Sequence, residues 1–224
     1  MSVHIESPYW VNWVLWHGVD RHRRTRRGFH GAVWDFVNRV RSLPAGSLTI
    51  DGGANAGAVT AAFAAHGLRV HSFEPDPFAR DQLQRRFVGN PLVTIHPEAL
   101  GVRAGSATLF RRPDFDLQPG RASKSSTLLP DMLPAGGEAV AVNVVDVIAF
   151  IRGLGEPVAV LSLDVEGAEV EIIDRLIDEG LAERIGMIYA ETHESFSPEL
   201  AASTRRLRDR VAAQGLTNIN LEWL

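Results

Sequence analysis

The 224-residue sequence contains no cysteine. This excludes disulfides, zinc–thiolate and iron–sulfur centres, and thiol nucleophiles. Lysine is almost absent as well: Lys124 is the only one, so Schiff-base chemistry has a single candidate. No apolar run approaches the ~20 residues needed to span a bilayer. Residues Met1 to Trp16 lack a basic start followed by an apolar core, and they carry His4 and Glu6, so no secretory signal is read and a cytoplasmic location is expected. Positive charge is not in excess either. The net charge of −4 argues against nucleic acid as a partner. What is present is ordinary for a globular chain, 45% apolar and 22% charged residues, which excludes wholesale disorder and collagen-like repeats. At ~150 residues per domain the length fits one principal domain with a core of its own.

Two regions differ in character. Residues 1–45 hold four of the five tryptophans, Trp10, Trp13, Trp16 and Trp34, and a basic run from Arg21 to Arg27. Val33, Phe36, Val37 and Val40 share one helical face. This region is read as a helical extension packed on the core or on a second copy, so a homodimer is compatible with it. Residues 46–224 form the second unit, in which strands and helices alternate. Expected strands are 47–51, 69–74, 92–96, 138–145, 158–164, 186–191 and 217–224, with 106–110 as an excursion from the main sheet. Expected helices are 58–66, 76–88, 146–152, 168–180 and one opened by Ser197 as N-cap and Pro198 at its first position. Residues 111–137 read as a long loop, a length more often functional than idle. The alternation predicts an α/β fold with a mainly parallel sheet and helices on both faces. In such sheets ligands bind beyond the carboxyl ends of the strands, where strand order reverses.

Three strand ends stand out. Asp51-Gly52-Gly53-Ala54-Asn55-Ala56-Gly57 joins a strand to a helix, with glycines that allow tight turning and close backbone approach. Its glycine spacing differs from the dinucleotide fingerprint. An aspartate at this strand end would repel a pyrophosphate and attract an ammonium group. Glu74 follows at the next strand end, within Phe73-Glu74-Pro75-Asp76, close to the ~20-residue offset of an acid that binds ribose hydroxyls. Together the two acids describe S-adenosylmethionine, with its amino-acid end at the first turn and its ribose at the second. The third strand end is Leu163-Asp164-Val165-Glu166-Gly167-Ala168-Glu169.

These segments, with Ala99-Leu100-Gly101 and Tyr189-Ala190-Glu191, resemble the FkbM-type methyltransferase family over roughly two thirds of the chain, from Thr49 to Glu194. The resemblance implies a Rossmann-like class I methyltransferase fold and O-methylation of a sugar, glycan or natural-product-like small molecule. It implies that Asp51, Gly53, Asn55 and Gly57 hold the methionine end, that Glu74 holds the ribose, that Ala99 and Leu100 lie near the adenine, and that Asp164 borders the cofactor. It also implies that Lys124, Ser125, Ser126 and Thr127, in the long loop, contact the acceptor, together with Glu191.

A hydroxyl needs a base to become a good nucleophile. His193, in Glu191-Thr192-His193-Glu194, is the first candidate, oriented by Glu191 or Glu194. Asp164 is the competing base, and Glu166 lies beside it. Glu169 reads as a helix-capping acid. The carboxylates are compatible with Mg²⁺, but no metal site is expected. Arg111, Arg112 and Arg121 either favour an anionic substrate or are simply solvated. The competing functions are a nicotinamide-dependent oxidoreductase on the same fold, against which Asp51 and the glycine spacing argue, and a non-catalytic protein that binds a partner through its tryptophan-rich arm.

Overall fold

The computed structural model describes residues 26–117, 120, 123, 126–129 and 137–223. Trp10, Trp13, Trp16, most of the basic run, Arg121, Lys124 and Ser125 lie outside the described residues.

Helix α1 (Arg26–Ser42) precedes β1 (Leu48–Gly52), α2 (Ala58–Ala65), β2 (Arg69–Phe73), α3 (Pro77–Arg86) and β3 (Val93–His96). Short strands β4 (Ala99–Gly101) and β5 (Gly105–Phe110) and the longer β6 (Ala139–Asp146) follow. The chain continues through α4 (Val147–Gly153), β7 (Val158–Leu163), α5 (Glu169–Asp178), β8 (Ile188–Glu191), α6 (Pro198–Ala213) and β9 (Ile219–Trp223). Helix starts follow local chemistry. Asp76 and Asp146 each accept hydrogen bonds from two backbone N–H groups of the helix they open, and Ser197 accepts from Leu200 N ahead of Pro198.

The main sheet has six strands in the order β3-β2-β1-β7-β8-β9, every neighbouring pair parallel. The chain winds outward from β1 through β2 to β3, then returns to the other side of β1 with β7. The order therefore reverses between β1 and β7, which is where such sheets bind ligands. The expected excursion at Ser106–Phe110 is part of a second, three-stranded sheet, β4-β6-β5. Strand β4 is not expected from the sequence: three residues are too few to show a period, and tertiary pairing with β6 creates it.

Both faces of the sheet are covered. On one face, α4, α5 and α6 pack Val147, Ile148, Val170, Ile172, Ile173, Leu176 and Leu207 against Leu48, Ile50, Leu161, Leu163, Ile188 and Ala190. On the other, α1 and α2 pack Val33, Phe36, Val37, Val40, Ala62 and Phe63 against Val70, Val160, Tyr189 and Trp223. The apolar stripe of α1 thus faces this sheet, as one of the two expected alternatives required, while Trp34 points outward at 63% exposure. Phe36 is the centre of the contact, with ring centroids 4.6 Å from Trp223, 5.2 Å from Tyr189 and 5.5 Å from Phe63. The Tyr189 hydroxyl donates to Asp35 Oδ2 at 2.5 Å, so the helix is pinned by a polar contact beside the apolar one.

Two substitutions probe this account. Phe36→Ala empties a three-ring contact and is expected to cost about 3–5 kcal/mol, against roughly 0.5 kcal/mol or less for Trp34→Ala on the exposed side; parallel denaturant titrations check both. Gly53 has φ +80°, and a Cβ there would stand 1.8 Å from the Asp164 carbonyl oxygen. Gly53→Ala is therefore expected to lower the unfolding free energy from the same titration by more than the roughly 1–2 kcal/mol of a left-handed backbone alone.

Candidate active site

The site is built where β1, β2, β7 and β8 end side by side. The glycine-rich turn leaves β1 and is latched to β2: Gly53 N and Ala54 N both donate to Phe73 O, at 3.0 and 2.9 Å. It is latched to the turn after β7 as well, since Asp164 N donates to Gly52 O at 2.9 Å. Gly53 sits so tightly against the Asp164 carbonyl that only glycine fits. Gly57 is glycine for a different reason. A Cβ there would lie 2.5 Å from both Leu83 Cδ1 and Phe87 Cε2, so its bareness lets α2 start against α3.

Asp51 points to the α2 face of the sheet and is buried. Its Oδ2 accepts from Thr60 Oγ1 at 2.6 Å, and Thr60 also contacts Ser72 Oγ at 2.8 Å. Burial outweighs the Thr60 hydrogen bonds and lifts the Asp51 carboxyl to about 6. Glu74 is buried too. Its Oε2 accepts from Asn55 N and its Oε1 from Asp76 N, both at 2.7 Å, so this carboxylate ties the glycine-rich turn to the start of α3. Burial raises Glu74 to about 8, against the pull of those two N–H groups. The side chain of Asn55 bonds within the protein: Nδ2 donates to Ser123 O at 3.1 Å and Oδ1 accepts from Ala56 N at 2.8 Å. Ala99 and Leu100 are buried in β4, with Leu100 Cδ1 against the end of β1 at Gly52.

The segment after β5 crosses over these turns. Thr127 pairs with Phe110 and its hydroxyl donates to Glu166 O at 2.7 Å. Ser126 Oγ donates to Asp76 Oδ2 at 2.9 Å. Arg111, considered from sequence as a contact for an anionic substrate, is committed elsewhere. It donates to both oxygens of Asp76, at 3.0 and 2.9 Å, and to Glu138 at 2.7 Å, and its guanidinium lies 4.1 Å over the Phe115 ring. The pair with Asp76 is buried, and removing one partner of such a pair leaves the other charge uncompensated. Arg112 is held by Asp114 at 2.9 Å.

Across the β1/β7 junction lies a dense group of acids around one imidazole. His193 is 3% exposed. Its Nε2 is 3.2 Å from Glu166 Oε2, 3.6 Å from Asp164 Oδ1 and 3.8 Å from Glu191 Oε1. Its Nδ1 is 3.3 Å from Glu169 Oε1 and 3.2 Å from the Glu191 carbonyl. Burial disfavours a charged ring here, but the hydrogen bonds of Glu166 and Glu169 and the charges of Glu169 and Glu191 overcome it and raise the imidazole well above its ordinary range. Desolvation first, then the charges of Glu191 and Glu166, raise Asp164 well above the usual aspartate range, against a smaller opposing pull from His193. Asp164 Oδ1 is shielded from solvent and accepts no hydrogen bond.

Of the sequence-based candidates, Asp164, Glu166, Glu191 and His193 converge here. Glu194 does not: it pairs with Arg208 at 3.3 Å. Glu169, read from sequence as a helix-capping acid, also faces the His193 ring. Its carboxylate turns back and accepts from Val165 N at 2.7 Å and Gly167 N at 3.0 Å while facing the ring. Its position in the first turn of α5 is the only signal in the sequence, and that signal fits a cap equally well. Asn55, Glu166 and His193 are the only non-glycine residues at positive φ among those described, at 46°, 56° and 45°. Strain of this kind collects at functional sites.

A protein-family model for the methyltransferase FkbM domain matches residues 51–215, about three quarters of the chain. No curated protein matches it significantly. Among solved structures, a candidate methyltransferase from an antibiotic biosynthesis pathway of Anabaena variabilis is 32% identical, over 30% of this chain and 26% of that one, with a TM-score of 0.25. This match therefore spans about a quarter of that relative's length. The human methyltransferase 10 domain containing protein is 12% identical, over 95% of this chain and 74% of that one, with a TM-score of 0.40. With its strand-end motifs inside the matched span, the chain belongs to the FkbM methyltransferase family.

Proposed function

We propose that this chain is an S-adenosylmethionine-dependent O-methyltransferase acting on a hydroxyl of a sugar, glycan or other small molecule, with residues 46–224 as the catalytic domain. The observation that carries the reading is the pairing of two halves at one switch point. Asp51 and Glu74 end adjacent strands on either side of the glycine-rich turn, and the Asp164–Glu166–His193 group stands directly across the β1/β7 junction.

The chemistry of the first half suits the cofactor. Asp51 offers a carboxyl to an ammonium group. Each oxygen of Glu74 has one lone pair engaged by a backbone N–H and a second that suits a ribose hydroxyl. Gly53 brings bare backbone to the crossing, Asn55 and Gly57 shape the turn, and Ala99 and Leu100 supply apolar surface for the adenine. When bound, the cofactor supplies an electrophilic methyl group, so the protein needs no nucleophile of its own. Its task is to hold an acceptor oxygen in line and remove its proton. Nε2 of His193 stands within hydrogen-bond reach of Glu166 and close to Asp164, so the reading assigns proton acceptance to these carboxylates, and to His193 the task of fixing them. Glu191 and the segment carrying Lys124, Ser125, Ser126 and Thr127 border the acceptor. Thr127 acts by anchoring that segment to the Glu166 backbone.

Calorimetric titration with S-adenosylhomocysteine tests the cofactor half. Wild type is expected to bind, and Asp51→Asn to bind roughly tenfold or more weakly, the loss of about 1.4 kcal/mol or more for a charge-assisted hydrogen bond. The pH dependence has a definite sign. Asp51 loses its charge below about 6, so affinity for the ammonium-bearing ligand should fall as pH drops from 7 to 5, by up to about tenfold per unit below the carboxyl's pKa. Asp51→Asn should flatten that slope. Absence of binding by folded wild type would sink the cofactor assignment. For the acceptor, transfer of labelled methyl from S-adenosylmethionine should appear in hydroxylated sugars as a base-stable ether. Label confined to matched amino sugars would overturn the assignment to oxygen.

A further inference from the structure

Three carboxylate oxygens, from Asp164, Glu166 and Glu191, crowd one ring nitrogen of His193, and of the three only that of Glu166 is within hydrogen-bond reach of it. We propose that Asp164, Glu191 and His193 form a binding site for a divalent cation of the Mn²⁺ type, coordinated through Oδ1, Oε1 and Nε2.

Three observations support the site. The first is spacing. The ligand atoms of these three residues lie within 4.8 Å of one another, and Nε2 is 3.6 and 3.8 Å from the two oxygens. Metal–ligand bonds of about 2.1 Å place adjacent ligands roughly 3 Å apart and opposite ones roughly 4.2 Å apart, so the two distances from Nε2 fall in the range that one ion spans. The second is the unpartnered oxygen. Asp164 Oδ1 is shielded from water and accepts no hydrogen bond, although a buried acceptor left so is destabilising. A cation at the centre of the group supplies the missing partner. The third is the back of the ring. Nδ1 faces two acceptors, Glu169 Oε1 at 3.3 Å and the Glu191 carbonyl at 3.2 Å. That arrangement keeps a hydrogen on Nδ1 when a cation displaces the proton of Nε2 and takes its lone pair, the carboxylate–histidine–metal relay seen behind metal-bound imidazoles. Glu169 is thus a positioning residue for the site.

The ligand set also indicates the ion. Carboxylate oxygens suit Mg²⁺, Ca²⁺ and Mn²⁺, and an imidazole suits a transition ion, so of these three Mn²⁺ fits the mixed set best. The Asp164 side chain is 44% exposed while His193 is almost fully enclosed, so the site is closed at the ring and reaches solvent on the Asp164 side. An acceptor oxygen entering from that side would complete the coordination and lose its proton more readily, with Glu166 left as the carboxylate to take it. This use of the cation rests on the methyltransferase reading. Its binding does not.

The test is a Mn²⁺ titration of the full chain after dialysis against a chelator, followed by the electron paramagnetic resonance signal of free Mn²⁺. Thermal midpoints with and without Mn²⁺ are recorded alongside. Wild type should bind one ion per chain and gain in midpoint, as expected for a ligand held only by the folded state. Asp164→Asn and Glu191→Gln should each weaken binding roughly tenfold or more, and Glu169→Gln, which touches no ion, should weaken it by about 10–100-fold through the ring. Glu156→Gln, on the surface, should leave it unchanged. If one ligand variant fails to fold, the other and the wild-type midpoint shift decide. Folded wild type that leaves free Mn²⁺ undiminished up to about 1 mM, a free energy of about −4 kcal/mol, overturns the site. So does binding that both ligand variants retain. S-Adenosylhomocysteine titrated into the same preparation separates the two readings: its binding without Mn²⁺ binding removes only the cation, and the converse removes only the methyltransferase assignment.

Discussion

The rest of the site depends on a single backbone crossing. At the point where the parallel sheet reverses its strand order, the turn after β1 and the turn after β7 touch, with Asp164 N bonded to Gly52 O and Gly53 pressed against the Asp164 carbonyl. Close contact of two main chains is possible only where one residue has no side chain. The crossing has two consequences. It brings the acids of β1 and β2 to one side of a shared edge, and it brings the acid–imidazole group of β7 and β8 to the other. A side chain at position 53 would push the halves apart, and the juxtaposition that makes the edge a candidate for group transfer would be lost.

A second constraint is charge. The edge concentrates Asp51, Glu74, Asp76, Asp164, Glu166, Glu169 and Glu191, and most of these are buried or half-buried. Each is accommodated differently. Asp76 has Arg111, a helix start and Ser126. Glu74 and Glu169 accept from backbone N–H groups and thereby hold turns in shape. Asp51 leans on Thr60. In the Asp164 group the acids gather around the His193 ring, with Asp164, Glu166 and Glu191 on one nitrogen and Glu169 on the other.

Much of this was legible in the sequence. The strand–helix alternation, the capping roles of Asp146 and Ser197, and the buried face of α1 all follow from local rules of period and capping, and the described residues bear them out. The acids at strand ends could be singled out because a parallel α/β sheet binds ligands there. Some alternatives stayed open in the sequence for one reason. Arg111 could meet a substrate or solvent, Glu191 or Glu194 could orient His193, and a capping acid at Glu169 gave no sign that it also faces the ring. In each case the deciding partner lies far along the chain or in a direction a carboxylate can take equally well. Arg111 meets Asp76 across 35 positions, and Glu169 reaches a ring 24 positions away.

By itself, then, the sequence determined the elements, their order and the residue types at each strand end, because hydrophobic period, capping and glycine punctuation act over a few residues. Only the tertiary structure decided which acids share a site, which of them merely hold turns, and which imidazole nitrogen faces the open side. Those outcomes depend on distances between strands that are remote in sequence and on burial, which changes what a carboxylate or an imidazole will hold. Neither quantity exists until the sheet has closed around β1.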